Sequence, residues 1–138
     1  TFAAAWAGRT AAGDTLNVRT MVADGDCNPL STLQPVATLL PAIGVRQSAI
    51  AAGPNSYLIA WKADGTIRAR TFNLNGSPAT AETTLLTPPN GEEFSMVRVA
   101  ANNNGFVFVV AHRAATKVSL ELYRVTASNT AAWRKSPP

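Results

Sequence analysis

Ten residues of this chain occur twice. Leu16-Asn17-Val18-Arg19-Thr20-Met21-Val22-Ala23-Asp24-Gly25 aligns without a gap on Ile67-Arg68-Ala69-Arg70-Thr71-Phe72-Asn73-Leu74-Asn75-Gly76, an offset of 51 residues (16 to 67). Self-similarity at such a period marks a stacked or radial array of small units, none of which buries its apolar face alone. In the middle unit, Gln47 to Ala52 reads as a strand closed by the turn Gly53-Pro54-Asn55-Ser56. The apolar run Tyr57-Leu58-Ile59-Ala60-Trp61 that follows is too short for a helix and has the pattern of a strand covered on both faces. Ala63-Asp64-Gly65-Thr66 supplies an Asp-Gly hairpin. Ile67 to Asn73 is a third strand, with Ile67, Ala69 and Thr71 on one face and Arg68 and Arg70 on the other. Asn75-Gly76 turns the chain into a short fourth strand, about Glu82 to Leu86, and Pro88-Pro89-Asn90-Gly91 ends the unit.

The third unit follows the same plan with Met96 to Ala101, Phe106 to Ala111, Ser119 to Thr126 and Thr130 to Arg134. Trp61 falls over Val110 or over His112 according to which strand end is matched, and Tyr123 falls near Arg70 if Leu120 is laid on Ile67. The first unit enters at its second strand: Phe2-Ala3-Ala4-Ala5-Trp6 matches Tyr57 to Trp61, Leu16 to Ala23 is its third strand, and Val36 to Leu40 holds its fourth. The expected fold is all-β, about three four-stranded antiparallel units (1–40, 41–87 and 88–138), the first lacking its first strand. The 138 residues are enough for one substantial core.

An apolar strand ending in Trp, a short polar turn, then Ile-x-Ala-Arg-x-Phe-x-x-x-Gly resembles the β-propeller repeats of bacterial secreted and cell-surface proteins. The residues that carry it are Tyr57 to Trp61 and Ile67 to Gly76, echoed by Phe2 to Trp6 and Leu16 to Gly25. The resemblance implies blades of a propeller, which closes with typically four to eight of them, and an extracytoplasmic setting. It implies no catalytic residue. Three blades are too few to close a ring, and open ends leave apolar faces and unpaired strand edges. The first expectation is therefore a non-catalytic module that docks to other subunits, to a second copy, or to the rest of a longer propeller. A lectin-like propeller that binds glycan and a fragment of a propeller enzyme are the alternatives.

Composition narrows the classes further. Charged residues make up only 14% of the chain, which suits a secreted or envelope protein, and Thr1 opening in mid-strand reads as a processed or truncated start. The net charge of +4 is scattered singly, with only Arg134-Lys135 adjacent, so no nucleic-acid footprint is expected. The longest apolar run, Phe106 to Ala111, is far short of a membrane span. Cys27 is the single cysteine and has no internal partner; it is either a free thiol on a turn or a bridge to another chain or to another part of the same precursor.

Candidate sites are few. Trp6 and Trp61 match, and repeated aromatics either stack on sugar rings or pack between blades. Arg19 and Arg70 match, and either bind acidic groups bidentately or face solvent from a strand. Asp24, Asp26 and Asn28 alternate oxygen ligands as a calcium loop does, but no bidentate carboxylate follows before Glu82. Asn75-Gly76-Ser77 fits a glycosylation acceptor on a turn, but the hairpin explains it better. Glu92 and Glu93 sit beside a turn, where charge is expected, and in a strand would point to opposite faces, and His112, the single histidine, lies on an apolar strand. With no nucleophile and base in register and Thr1 leading into an apolar strand, neither catalysis nor a cofactor is expected.

Overall fold

The computed structural model describes residues 2–9, 16–39, 48–125 and 131–135. They form three antiparallel sheets, each a meander, in chain order. Sheet one holds β1 (Phe2–Arg9), β2 (Leu16–Ala23) and β3 (Gln34–Leu39). Sheet two holds β4 (Ser48–Ala52), β5 (Ser56–Ala63), β6 (Thr66–Asn73) and β7 (Thr83–Leu86), and sheet three holds β8 (Glu93–Asn102), β9 (Gly105–Ala114), β10 (Lys117–Val125) and β11 (Ala131–Lys135). The fold is all-β, an open array of three propeller-like sheets, with three strands in the first. Thr1, Leu40, Gln47, Thr126 and Thr130 lie outside the described residues.

Each hairpin forms where the backbone can turn. Asp64 and Gly65 both have positive φ, 51° and 76°, the pair a two-residue turn between twisted strands requires. β5 is enclosed because both faces of sheet two are covered: Tyr57 through Trp61 are at most 1% exposed. Alternation then sorts them. Tyr57, Ile59 and Trp61 join Phe72 against Val22, Val36 and Ala37 of sheet one, whereas Leu58, Ala60, Ile67 and Ala69 meet Phe94, Val97, Phe108 and Val110 of sheet three. We call these the front and back faces of a sheet, toward the preceding and the following sheet. Each large side chain so enclosed contributes about 1.5–3 kcal/mol, so the two seams are the core of the molecule.

Pairing registers define the true repeat. A register shift falls between Val18 and Arg19 in sheet one and between Ile67 and Arg68 in sheet two, and Val18 pairs with Ala37 as Ile67 pairs with Leu86. The turn beyond agrees: Val22 N–H donates to Ser31 Oγ as Thr71 N–H donates to Thr80 Oγ1, and isolated bridges join Ala23 to Pro29 and Phe72 to Pro78. Val18 therefore occupies the place of Ile67, two residues away from the gapless sequence match, and Arg19 corresponds to Arg68 rather than Arg70. The match of Trp6 with Trp61 stands, since Trp6 pairs with Arg19 and Trp61 with Arg68.

The third unit resolves in the same way. The Ala114–Lys117 hairpin pair takes the place of Ala63–Thr66, which lays His112 on Trp61, Val118 on Ile67, Glu121 on Arg70 and Tyr123 on Phe72. Leu120 thus matches Ala69, not Ile67. Aromatic stacking repeats with it: Tyr57 lies on Phe72 with centroids 5.3 Å apart, and Phe108 on Tyr123 at 5.1 Å, both pairs tilted by 11°.

Candidate functional site

The two ends of the strands carry different chemistry. At one end lie the turns after β2, β4, β6 and β8, built from Asn, Ser, Gly and Pro. There Asp24 Oδ1 accepts from the N–H groups of Asp26 and Asn28, both at 2.9 Å, and Asn28 Nδ2 donates to Asp24 Oδ2 at 3.1 Å. Those bonds hold the Asp24 carboxyl below its ordinary range, the Asn28 side chain contributing most. The carboxylate of the candidate calcium loop is thereby committed to closing its own turn. Cys27 is exposed, with a free thiol and a φ of 64°, at the place Gly76 holds with a φ of 90° in the next unit.

Charge gathers toward the other end, around the β5–β6 and β9–β10 hairpins and the start of β8. Lys62 Nζ, late in β5, reaches Glu93 Oε2 at 3.3 Å across the second seam, and Arg113 approaches the other oxygen of Glu93 at 3.7 Å. Arg68 pairs with Glu82 at 2.8 Å and Asp64 at 3.8 Å. The side chains of Arg113, Glu93 and Asp64 are 64%, 47% and 45% exposed. Such pairs are worth no more than about 1 kcal/mol. They can be exchanged for other polar partners at little cost.

Behind them stands a half-buried network on the front face of sheet three. His112 Nε2 lies 2.5 Å from Glu92 Oε2 and Nδ1 lies 3.1 Å from Glu121 Oε1, and the Tyr123 hydroxyl donates to Glu121 Oε2 at 2.6 Å. Phe94 covers the ring with centroids 5.1 Å apart, and Glu121 is only 1% exposed. Glu92 precedes β8 and Glu93 opens it, so strand alternation does not govern the pair; one side chain goes to this network and the other to Lys62. Among the described residues no group of three or more His, Cys, Asp or Glu side chains is arranged to hold a metal ion; His112 stands between its carboxylates rather than beside them.

The residues singled out from the sequence do not converge on one place. Trp61 is fully enclosed in the first seam, while Trp6 is 40% exposed on the front of sheet one. Arg70 ties the seam together: its Nε donates to Thr80 O at 2.9 Å, its Nη1 reaches the carbonyls of Pro35 and Val36 at 3.4 and 3.2 Å, and the guanidinium lies 5.5 Å from the Phe72 centroid. Of Arg19 only the backbone is described. Sequence reasoning passed over Lys62, Arg113 and the His112 network, and the signal available was the repeat itself, which puts His112 where Trp61 stands and Glu121 where Arg70 stands. A polar residue in an apolar repeat position needs partners when buried.

No helix among the described residues is long and apolar enough to cross a membrane. No protein-family model and no curated protein sequence matches the chain. Among solved structures, the α-L-arabinanase of Penicillium chrysogenum, determined with arabinobiose bound, is similar in fold, with a TM-score of 0.66 at 13% identity over 97% of this chain and 44% of that one. This chain thus spans less than half the length of the arabinanase, to which its array of three sheets is alike in fold.

Proposed function

We propose that this chain is part of a carbohydrate-handling propeller that binds an oligosaccharide at the charged end of sheets two and three. The observation that carries the reading is the likeness of nearly the whole chain to the arabinanase, a protein determined with a disaccharide bound. The chemistry of the charged end supports it. Sugar hydroxyls donate to carboxylates and accept from guanidinium and ammonium groups, and Glu93, Lys62 and Arg113 offer both kinds of group close together. Their mutual pairs are weak and solvated, so a glycan displaces them cheaply. An extracytoplasmic setting, where polymeric glycans occur, accords with the low charged fraction of 14%.

The role assigned is binding rather than hydrolysis. Glycoside cleavage by the usual route needs two carboxyl groups flanking the scissile bond, one to protonate the leaving oxygen and one to attack or to activate water. Glu92 and Glu121 are both engaged by one imidazole, and Glu121 is enclosed. We assign neither of them that work.

Calorimetric titration with arabinobiose, longer arabino-oligosaccharides, and a panel of neutral and acidic oligosaccharides tests the reading. At least one of these should bind, and Glu93→Gln or Arg113→Ala should weaken it about tenfold, the loss of one charge-assisted hydrogen bond of about 1.5 kcal/mol. Absence of binding across the panel at millimolar sugar, or full affinity in both variants, would overturn it.

A further inference from the structure

The dipeptide Asn-Gly occurs at Asn75-Gly76, Asn90-Gly91 and Asn104-Gly105, each time with its asparagine on a turn. Two of the three are tied down. Asn75 Oδ1 accepts from the Ser77 N–H at 2.9 Å and from the Ser77 hydroxyl at 2.7 Å, and the Gly76 N–H donates to Asn73 O at 2.9 Å. The Asn104 N–H donates to Asn102 Oδ1 at 2.8 Å, the Asn104 carbonyl accepts from Arg124 Nη2 at 3.2 Å, and Gly105 pairs with Asn102 in the β8–β9 ladder. Asn90 and Gly91 differ. Both are exposed, and among the described residues nothing hydrogen-bonds to the Asn90 side chain, the Asn90 carbonyl or the Gly91 N–H. Their turn is closed around them, by the Glu92 N–H donating to Pro89 O at 3.1 Å. The central peptide unit of such a turn can rotate while its closing bond stays, which is all that separates turn types I and II.

We propose that Asn90 is a site of intramolecular deamidation. The Gly91 nitrogen, as its anion, attacks Asn90 Cγ; the N–Cγ bond forms, the Cγ–Nδ2 bond breaks, and ammonia leaves with the proton that the nitrogen gave up. Glycine suits the step because no Cβ crowds the five-membered ring. Water then adds to one of the two ring carbonyls and opens the ring to aspartate or isoaspartate, so one water is consumed, one ammonia is released and one negative charge is gained. The attack needs the Asn–Gly peptide unit to turn its nitrogen toward Cγ. At Asn90 that rotation breaks no hydrogen bond, whereas it costs the Gly76 bond to Asn73 at one rival and the Arg124 bond at the other. The new carboxylate lies in the connection that delivers Glu92 to His112 and Glu93 to Lys62. The charged end of the molecule therefore gains negative charge with age. The inference does not depend on the glycan reading and is measured without sugar.

Peptide mapping by mass spectrometry, after incubation of the folded chain at mildly alkaline pH, follows each site through the mass gained when NH is exchanged for O. Asn90 should convert at least about tenfold faster than Asn75 or Asn104, equivalent to about 1.4 kcal/mol of barrier. In urea, where the turns are lost, the three rates should converge. Asn90→Ser should remove the more acidic species that isoelectric focusing resolves in the aged wild type. Conversion of Asn75 or Asn104 as fast as Asn90 in the folded chain, the same ranking of rates in urea, an Asn90 that stays intact, or acidic species undiminished in Asn90→Ser would overturn the inference.

Discussion

The two aromatic stacks predict different answers to the same substitution. Tyr57 and Tyr123 each stack on a phenylalanine in matched pairs, with the strands of tyrosine and phenylalanine exchanged, but the hydroxyls differ: Tyr123 donates to the buried Glu121 carboxylate at 2.6 Å, whereas Thr20 Oγ1 approaches the Tyr57 hydroxyl at only 3.5 Å. Tyr123→Phe keeps the stack and deprives an enclosed carboxylate of one donor, a loss of about 1.5–3 kcal/mol for a hydrogen bond to a charged group. At roughly 3–4 °C per kcal/mol for a chain of this size, its melting temperature should fall by about 5–12 °C. Tyr57→Phe removes a marginal contact, and its fall should stay below about 2 °C. Thermal melts followed by circular dichroism at pH 7 and one fixed protein concentration compare them directly. Equal melting of the two variants, or a more damaging Tyr57→Phe, would refute the reasoning that Glu121 depends on Tyr123.

Three further outcomes are expected. Burial raises the Tyr57 phenol above its ordinary value near 10; its neutral form is favoured in the folded chain, so this contribution to stability is intact below pH 10 and lost as pH rises through the folded value. Tyr57→Phe should flatten that alkaline loss in melts between pH 9 and about 11. Asp24 has the opposite sign, because its depressed carboxyl stabilises the fold above the ordinary range near 3.9 and ceases to as pH falls through the folded value; Asp24→Asn should therefore lower the melting temperature at pH 7 and leave it unchanged at the lowest pH where the chain still folds. Gly76→Ala should cost about 1–3 kcal/mol in urea unfolding, since φ there is 90° and a Cβ would come within 2.8 Å of Ser31 Cβ, while Cys27→Gly at the matching place should change stability by less than about 1 kcal/mol, relief of left-handed strain being offset by a more flexible unfolded chain.

Much of this architecture is legible in the residues. The run from Tyr57 to Trp61 announces a doubly covered strand, and Asp64-Gly65 announces its hairpin. The register between units is harder. A gapless match over ten residues lies two positions from the true one, and two residues is the period of a strand, so every side chain stays on its own face and alternation raises no objection. Only the turn reveals the shift, and there Cys27 takes the left-handed place that Gly76 takes in the next unit. The charged end escapes sequence reading for a different reason. Lys62, Glu93 and Arg113 come from three strands and two sheets, so no spacing along the chain brings them together. His112 looks like a core residue because its strand is apolar, and its partners Glu92 and Glu121 lie 20 residues before it and nine after it.

The central claim is that sheet two is enclosed between its neighbours by matched front and back faces. Native-state hydrogen exchange, resolved by residue, tests it most directly. The account predicts that amides of β5 and β6 exchange only through global unfolding, far more slowly than those of β1, which lies at a sheet edge. Exchange in Tyr57 to Trp61 as fast as in Phe2 to Trp6 would contradict it.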